Sequence, residues 1–285
     1  MGILNITPDS FSGDGLLPPS DSPPIFIENG GGEGGVKRAL AQAREFLTSG
    51  ADILDVGGES TRPGSEPLDA EAEMERIIPV IQALTKEFPD ALISIDTYKA
   101  TVAEEAFKAG AQILNDVWAL RADPAQAGMA ANYKVPVILM HNRSNPASVE
   151  VRVQLGNAYI GAEYDDLLED VKRELMDSVK LAQQAGVPDE RIILDPGIGF
   201  GKTVSHNLEL IRRLDEIRAL GYPVLLGPSR KSFIGFTLDL PADQRVEGTA
   251  AAACVGITRG ADIIRVHDVE HMVRIAKMTD AIVRV

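Results

Sequence analysis

The chain is 285 residues long, 45% hydrophobic and 25% charged, with a formal net charge of −14 and a single cysteine. This is the composition of a soluble globular protein with a large core, and its acidic balance excludes the basic surface that nucleic acid or an anionic membrane requires. No apolar run is long enough to span a bilayer and no basic segment leads an apolar signal region, so cytoplasmic residence is expected. Cys254 has no partner for an intrachain disulfide and is expected to be a small buried residue.

In chain order, short apolar runs alternate with amphipathic stretches. Ile3-Leu4 runs into Asn5, and after a Pro- and Gly-rich stretch over 13–35 a helical pattern covers 37–48. Ile53-Leu54 leads to Asp55 and Glu59, then a loop over 57–69 gives way to a helix over 70–88. Ile93-Ser94-Ile95 ends in Asp96 before a helix over 100–108, and Ile113-Leu114 ends in Asn115 and Asp116 before one over 124–133. Val137-Ile138-Leu139-Met140 ends in His141 before 164–184, and Ile192-Ile193-Leu194 in Asp195 before 206–220. Val224-Leu225-Leu226 precedes Ser229-Arg230-Lys231 and a helix over 243–258, and Ile263-Ile264 leads to Arg265 and His267 before 268–283.

Gly50, Gly110 and Gly260 each precede an Ala and an apolar pair, a pattern in which glycine closes a helix in the left-handed conformation. Strands rich in Ile, Val and Leu that alternate with helices indicate a parallel sheet covered on both faces. Eight such units without a linker predict one (β/α)₈ TIM barrel over 1–285, with mobile loops at about 9–35 and 57–69. An open sheet would gather its polar strand ends at one switch point, whereas here they follow every strand.

In a barrel those residues share one mouth. Asp195-Pro196-Gly197-Ile198-Gly199-Phe200-Gly201-Lys202-Thr203 is not a phosphate-cradling loop, because Pro196 stands where that pattern requires glycine. It reads instead as a tight turn that lets a flat ligand approach, with Asp195 facing the mouth. A carboxylate there pairs with an N–H beside N–H edge, as in guanidines and aminopyrimidinones. Asp96 and Asn115 offer further donors and acceptors, and Lys231 offers a cation near a ring carbonyl; any one of them alone would be a structural hydrogen bond. Arg265-Val266-His267 alternates, so Arg265 and His267 share a face and form an anion clamp that Arg62 and Asn5 can join.

Mg²⁺ is the expected companion of a phosphate ligand, since it keeps several waters and needs few protein ligands. Alone, Arg265 would read as an ion pair with Asp262 or Asp268. His141 belongs to no zinc pattern, and Ser229 sits in no nucleophile elbow. The alanine run ending at Ala253 reads equally as close packing on the barrel and as a subunit contact.

Taken together these segments resemble the dihydropteroate synthases of folate biosynthesis, over essentially the whole chain. The likeness rests on Met1-Gly-Ile-Leu-Asn-Ile-Thr-Pro-Asp-Ser-Phe-Ser12, Asp55-Val-Gly-Gly-Glu-Ser-Thr-Arg-Pro-Gly64, Ile95-Asp-Thr97, Asn115-Asp116, Leu194-Asp-Pro-Gly-Ile-Gly-Phe-Gly-Lys202, Ser229-Arg-Lys-Ser232 and Ile264-Arg-Val-His-Asp268. It implies condensation of a 7,8-dihydropterin-6-ylmethyl diphosphate with p-aminobenzoate, sulfonamides competing for the second, in a homodimer.

By this resemblance Asp96, Asn115, Asp195 and Lys231 hold the pterin, with Met140 and Phe200 lining its slot. Asn5, Arg62, Arg265 and His267 take the diphosphate, Asn5 being the metal ligand, and Thr61, Arg62, Pro63 and Ser229 flank p-aminobenzoate. The catalytic set is Asp96, Asp195, Lys231, Arg265, His267 and Arg62, with Asp14 reaching the metal region. Members usually carry residues before the first strand, Ser-Lys-Pro is commoner where Tyr98-Lys99-Ala100 stands, and Asp116 and His141 acquire no role. A methyltetrahydrofolate-corrinoid methyltransferase shares the fold but binds no diphosphate, and a non-catalytic pterin-binding barrel would have lost the clamp or the second loop. Arg265→Ala is expected to abolish diphosphate release with the fold intact.

Overall fold

Among the described residues of the computed structural model, eight short strands rich in Ile, Leu and Val close on themselves. Residues 1–7, 33–60, 67–144 and 161–284 are described. The strands are β1 (Gly2–Asn5), β2 (Ile53–Gly57), β3 (Leu92–Asp96), β4 (Ile113–Asp116), β5 (Val137–Met140), β6 (Ile192–Asp195), β7 (Leu225–Leu226) and β8 (Ile263–Ile264). The helices are α1 (Glu33–Ser49), α2 (Ala70–Glu87), α3 (Ala100–Ala109), α4 (Gln126–Tyr133), α5 (Leu167–Gln184), α6 (Val204–Arg212), α7 (Leu214–Arg218), α8 (Ser232–Leu238), α9 (Val246–Thr258) and α10 (Val269–Val283).

Strands β1 to β6 pair in sequence order and β7 pairs with β8, all in parallel. Two further parallel bridges complete the circle, Leu194 with Val224 and Gly2 with Val266. At the second, Ile3 N–H donates to the Val266 carbonyl and Val266 N–H to that of Met1, both at 3.0 Å. The (β/α)₈ barrel expected from the eight repeats is therefore the fold.

Because side chains alternate along a strand, each strand sends one set outward and one inward. Outward, Leu54, Val56, Ile95, Leu114, Val137, Leu139 and Leu194 join the helix-covered core with Ala103, Ala106, Val171 and Leu175. Inward, Ile113, Ile138 and Leu225 form a separate apolar layer with Met1, Ile53, Ile193 and Ile263. Two residues further on, the same inward face presents Asp55, Asn115, Met140, Asp195 and Arg265. A polar layer thus lies directly above an apolar one.

Three expectations change. The stretch over 206–220 is not one helix but two, because the backbone at Arg213 leaves the helical region (φ −111°, ψ 27°) between α6 and α7. The sequence between Lys231 and α9 contains a short additional helix, α8, whose Gly235 leaves room for the Arg245 guanidinium; that arginine donates to the carbonyls of Leu240 and Arg230, both at 3.0 Å. Cys254 is also less buried than expected, half-exposed on α9, where the Thr279 hydroxyl donates to its Sγ at 3.3 Å. Its neighbours Ala252 and Ala253 are buried, so the small-residue run packs inward at those two positions.

The three boundary glycines behave as the pattern predicts, with φ of 98°, 116° and 98° at Gly50, Gly110 and Gly260. At Gly110 a Cβ would also lie 2.5 Å from the Thr85 hydroxyl. Gly110→Ala is therefore expected to cost about 1–3 kcal/mol, the usual penalty of a strained backbone, seen as a lower denaturant midpoint. An unchanged midpoint would mean that the α3–β4 corner relaxes freely.

Candidate active site

Barrel closure determines where Arg265 points. Val266 is spent on the pairing with β1 and its side chain is buried outward, so Arg265 enters the barrel. Its Nε donates to Asp55 Oδ2 at 2.5 Å and its Nη2 to Asp96 Oδ2 at 2.7 Å. Asn115 Nδ2 donates to the same Asp55 oxygen at 3.1 Å. Asp55, fully buried, thus ties a residue expected on the anion clamp to one expected on the pterin floor.

The ion pairs with Asp262 or Asp268 that Arg265 might have made alone do not form. Asp268 is taken by Arg230, with Nε donating at 2.9 Å, while Asp262 accepts from Val224 N–H at 2.9 Å and lies beside Arg218. Burial works against the Arg265 charge, but Asp55 and Asp96 more than offset it and hold the guanidinium protonated. Burial pushes Asp96 up to about 7 against the pull of Arg265, with Asp55 adding like-charge repulsion.

The second group is built by the turn after β6. Gly197, Gly199 and Gly201 have φ of 69°, 87° and 67°, so the segment is the tight turn expected, and Gly197 N–H donates to Asp195 Oδ1 at 2.7 Å. Burial raises the Asp195 pKa, with Lys231 and the Gly197 N–H opposing. Lys231 Nζ donates to the Ile198 carbonyl and lies 4.8 Å from the centre of the Phe200 ring. Burial lowers its pKa to about 8, countered first by Asp195. Met140 is buried and pairs in register with Asp195. Asp195, Lys231, Phe200 and Met140 are thus brought together at one side of the mouth.

His267 takes a different partner from Arg265. Its Nδ1 lies 2.9 Å from Ser229 Oγ and its backbone N–H donates to the same oxygen at 3.1 Å, so a residue expected on the diphosphate touches one expected beside the amine. Asn5 ends β1, half-buried, in register with Gly57. Thr61, Arg62, Pro63 and Asp14 lie outside the described residues. Asp116 is structural, accepting from the N–H groups of Trp118 and Leu120, both at 2.8 Å, and so holding a turn in which Ala119 and Leu120 have positive φ.

Sequence reasoning gave no role to Asp55 or to the cluster below the second loop. There Lys99 Nζ bonds Glu73 at 2.6 Å and also Glu59, whose Oε1 accepts from the Tyr98 hydroxyl at 3.1 Å. Arg76 Nη1 donates to the Gly58 carbonyl at 3.0 Å. Asp55 could have been found from its inward parity two places after Ile53. Lys99 carries no comparable signal, because its partners come from the segment after β2 and from α2.

The Asp55 contact alters the expectation that Arg265→Ala leaves the fold intact. Removing the guanidinium strands a fully buried carboxylate, which costs about 3–5 kcal/mol. Chemical denaturation is expected to show that loss in Arg265→Ala and a partial recovery in Arg265→Ala with Asp55→Asn. A double variant no more stable than the single one would show that the buried charge is not the cause.

Residues 1–267 match the pterin binding enzyme family. The dihydropteroate synthase of Bacillus subtilis is 49% identical over 99% of this chain and 87% of its own length, and that of Clostridium beijerinckii 48% identical over 100% and 94%. Among solved structures, dihydropteroate synthase of Clostridium difficile in the presence of pteroic acid superposes with a TM-score of 0.85 at 44% identity, covering 100% of this chain and 96% of that one. The Yersinia pestis dihydropteroate synthase with a sulfonamide drug does so with a TM-score of 0.84 at 37% identity, covering 99% and 92%. With its length matched throughout by such enzymes and its mouth carrying the expected polar layer, the chain belongs to the pterin-binding enzyme family, in its dihydropteroate synthase branch.

Proposed function

We propose that the chain condenses 7,8-dihydropterin-6-ylmethyl diphosphate with p-aminobenzoate to give 7,8-dihydropteroate and diphosphate, and that sulfonamides compete for the place of the amine. The observation that carries this reading is the inward polar layer, in which Asp55 and Asp96 hold Arg265 beside Asn115. A floor for a flat heterocycle and a cation for an anion are there one unit. Relatives solved with pteroic acid and with a sulfonamide support the two substrate classes.

Asp195 accepts from the adjacent N–H groups of the pterin, Asp96 and Asn115 take its remaining polar edge, and Lys231 donates to the ring carbonyl. Met140 and Phe200 line the slot. As the bond from the pterin methylene to the diphosphate oxygen breaks, positive charge spreads into the pterin, and the carboxylates of Asp96 and Asp195 stabilise it. Two of the five N–H donors of Arg265 are engaged by Asp55 and Asp96; the others, with His267 and Arg62, receive the negative charge left on the diphosphate. The neutral amine of p-aminobenzoate, flanked by Thr61, Arg62, Pro63 and Ser229, attacks the methylene carbon and sheds one proton. An aromatic amine needs no strong base for this step.

The residues fit a Mg²⁺ ion held mainly by substrate. Among the described residues no three His, Cys, Asp or Glu side chains converge on a cation, and Asn5 brings one neutral oxygen donor to the end of β1, a set suited to an ion that retains waters and phosphate oxygens. When bound, Mg²⁺ supplies positive charge against the diphosphate. Cytoplasmic residence is proposed as well, supported by the absence, among the described residues, of a helix long and apolar enough to cross a membrane. A homodimer is supported by the exposed apolar side chains Val255 on α9 and Met278 and Ile282 on α10.

The test is diphosphate release by the purified protein given both substrates. Release is expected to require both, to fall on chelation and recover with Mg²⁺, and to show a sulfonamide raising the KM for p-aminobenzoate alone. Methyl transfer to a corrinoid without diphosphate release would overturn the reading.

A further inference from the structure

One buried cation has no part in the chemistry above. Lys202, only 1% exposed, places its Nζ 2.9 Å from His141 Nδ1, 3.0 Å from the Gly197 carbonyl and 2.9 Å from the Phe200 carbonyl, with the His141 carbonyl at 3.5 Å. Each of these neighbours accepts. An ammonium has three N–H groups and no lone pair, whereas a free amine would turn its lone pair toward one of the acceptors. With Nδ1 accepting, the His141 ring carries its proton on Nε2, which donates to Glu174 Oε2 at 3.0 Å, and Glu174 in turn accepts from Arg143 Nε at 3.0 Å.

The two carbonyls bonded by Lys202 belong to the turn that presents Asp195 and Phe200. The turn is pressed against the end of β5 so closely that a Cβ on Gly197 would lie 1.8 Å from the His141 carbonyl oxygen. Packing alone would be served by an apolar side chain, since burying an ammonium costs several kcal/mol before its partners offset it. We propose that Lys202 is a positioning residue for the pterin, its ammonium clipping the glycine-rich turn to His141 so that the Asp195 carboxylate and the Phe200 ring meet the heterocycle, with Glu174 holding the His141 ring in the accepting tautomer.

The clip is also sensitive to pH. Burial lowers the Lys202 pKa to about 7; Asp195 and Glu174 raise it, while Lys231 and Arg143 lower it further. Burial, with Lys202, lowers His141 to about 4 against the pull of Glu174, so His141 stays neutral and accepting at neutral pH. The amine form gains as pH rises through about 7, the third bond is then lost, and pterin affinity falls.

This proposal rests on the assignment of Asp195 to the pterin, so Asp195→Asn is measured beside it. Steady-state kinetics of Lys202→Met and of His141→Gln, from pH 6 to 9, are compared with the wild type. Lys202→Met is expected to raise the KM for the pterin diphosphate roughly tenfold, about 1.4 kcal/mol, to leave the KM for p-aminobenzoate within about twofold, and to remove the rise of pterin KM near pH 7 while keeping the later one that loss of the Lys231 charge near 8 brings. His141→Gln, which keeps the cation but loosens its hold on β5, is expected to raise the pterin KM severalfold, and the double variant to be no worse than Lys202→Met. A folded Lys202→Met with unchanged pterin KM, or with both KM values raised alike, overturns the proposal. If Lys202→Met does not fold, an unchanged pterin KM in His141→Gln does so. An unchanged pterin KM in Asp195→Asn instead overturns the assignment beneath it.

Discussion

The site depends on one charge balance inside the barrel, the guanidinium of Arg265 shared between the carboxylates of Asp55 and Asp96. Two acids on neighbouring strands, above a layer of isoleucines and leucine, would repel each other and lose their hydration. Arg265 sets one positive charge against both, and its delocalised plane, with several donors, suits it to a position that a lysine could not fill. The Asp96 pKa, raised to about 7, shows that the balance is close. A cationic ring arriving over such a layer would supply the positive charge it lacks, so this layer suits the charged ring formed during the reaction better than the neutral ring of the substrate.

Much of this was legible in the sequence because strands and barrels impose simple periods. An apolar residue two places before a polar one, as in Ile113 and Asn115 or Ile193 and Asp195, puts both on the inward face, and eight repeats make that face a single mouth. The glycine closures at Gly50, Gly110 and Gly260 were equally visible, since the left-handed conformation restricts the residue type. The break at Arg213 was not, because its ion pairs with Glu209 and Glu216, four and three residues away, have the spacing of an unbroken helix, and the extra helix α8 was not, because it depends on Arg245 reaching the carbonyls of Leu240 and Arg230 across a loop.

The partners of a charge were harder to foresee than its location. Arg265 could be placed at the mouth from its motif, yet Asp262 and Asp268, its sequence neighbours, belong to other arginines, and its true partners lie six and five strands earlier. Lys99 and Lys202 show the same limit. Lys99, half-buried, and Lys202, buried, each take at least one partner from another βα unit, a pairing that their own stretch of sequence does not show. Long-range pairing of this kind is decided by how the strands order around the barrel, a tertiary property that no short window of sequence contains.

That ordering bears on the birth of the protein. The contact between Asp55 and Arg265 spans 210 positions and that between Asp96 and Arg265 spans 169. During synthesis the two carboxylates emerge long before the arginine that neutralises them, and β1 waits at an open edge until Val266 arrives to pair with it. A nascent chain can therefore build most of its apolar shell early but must hold its mouth hydrated and unfinished until β8 and the residues that follow it are added. The element that completes the barrel is also the one that completes the site, so closure of the sheet and competence to bind substrate fall at nearly the same moment.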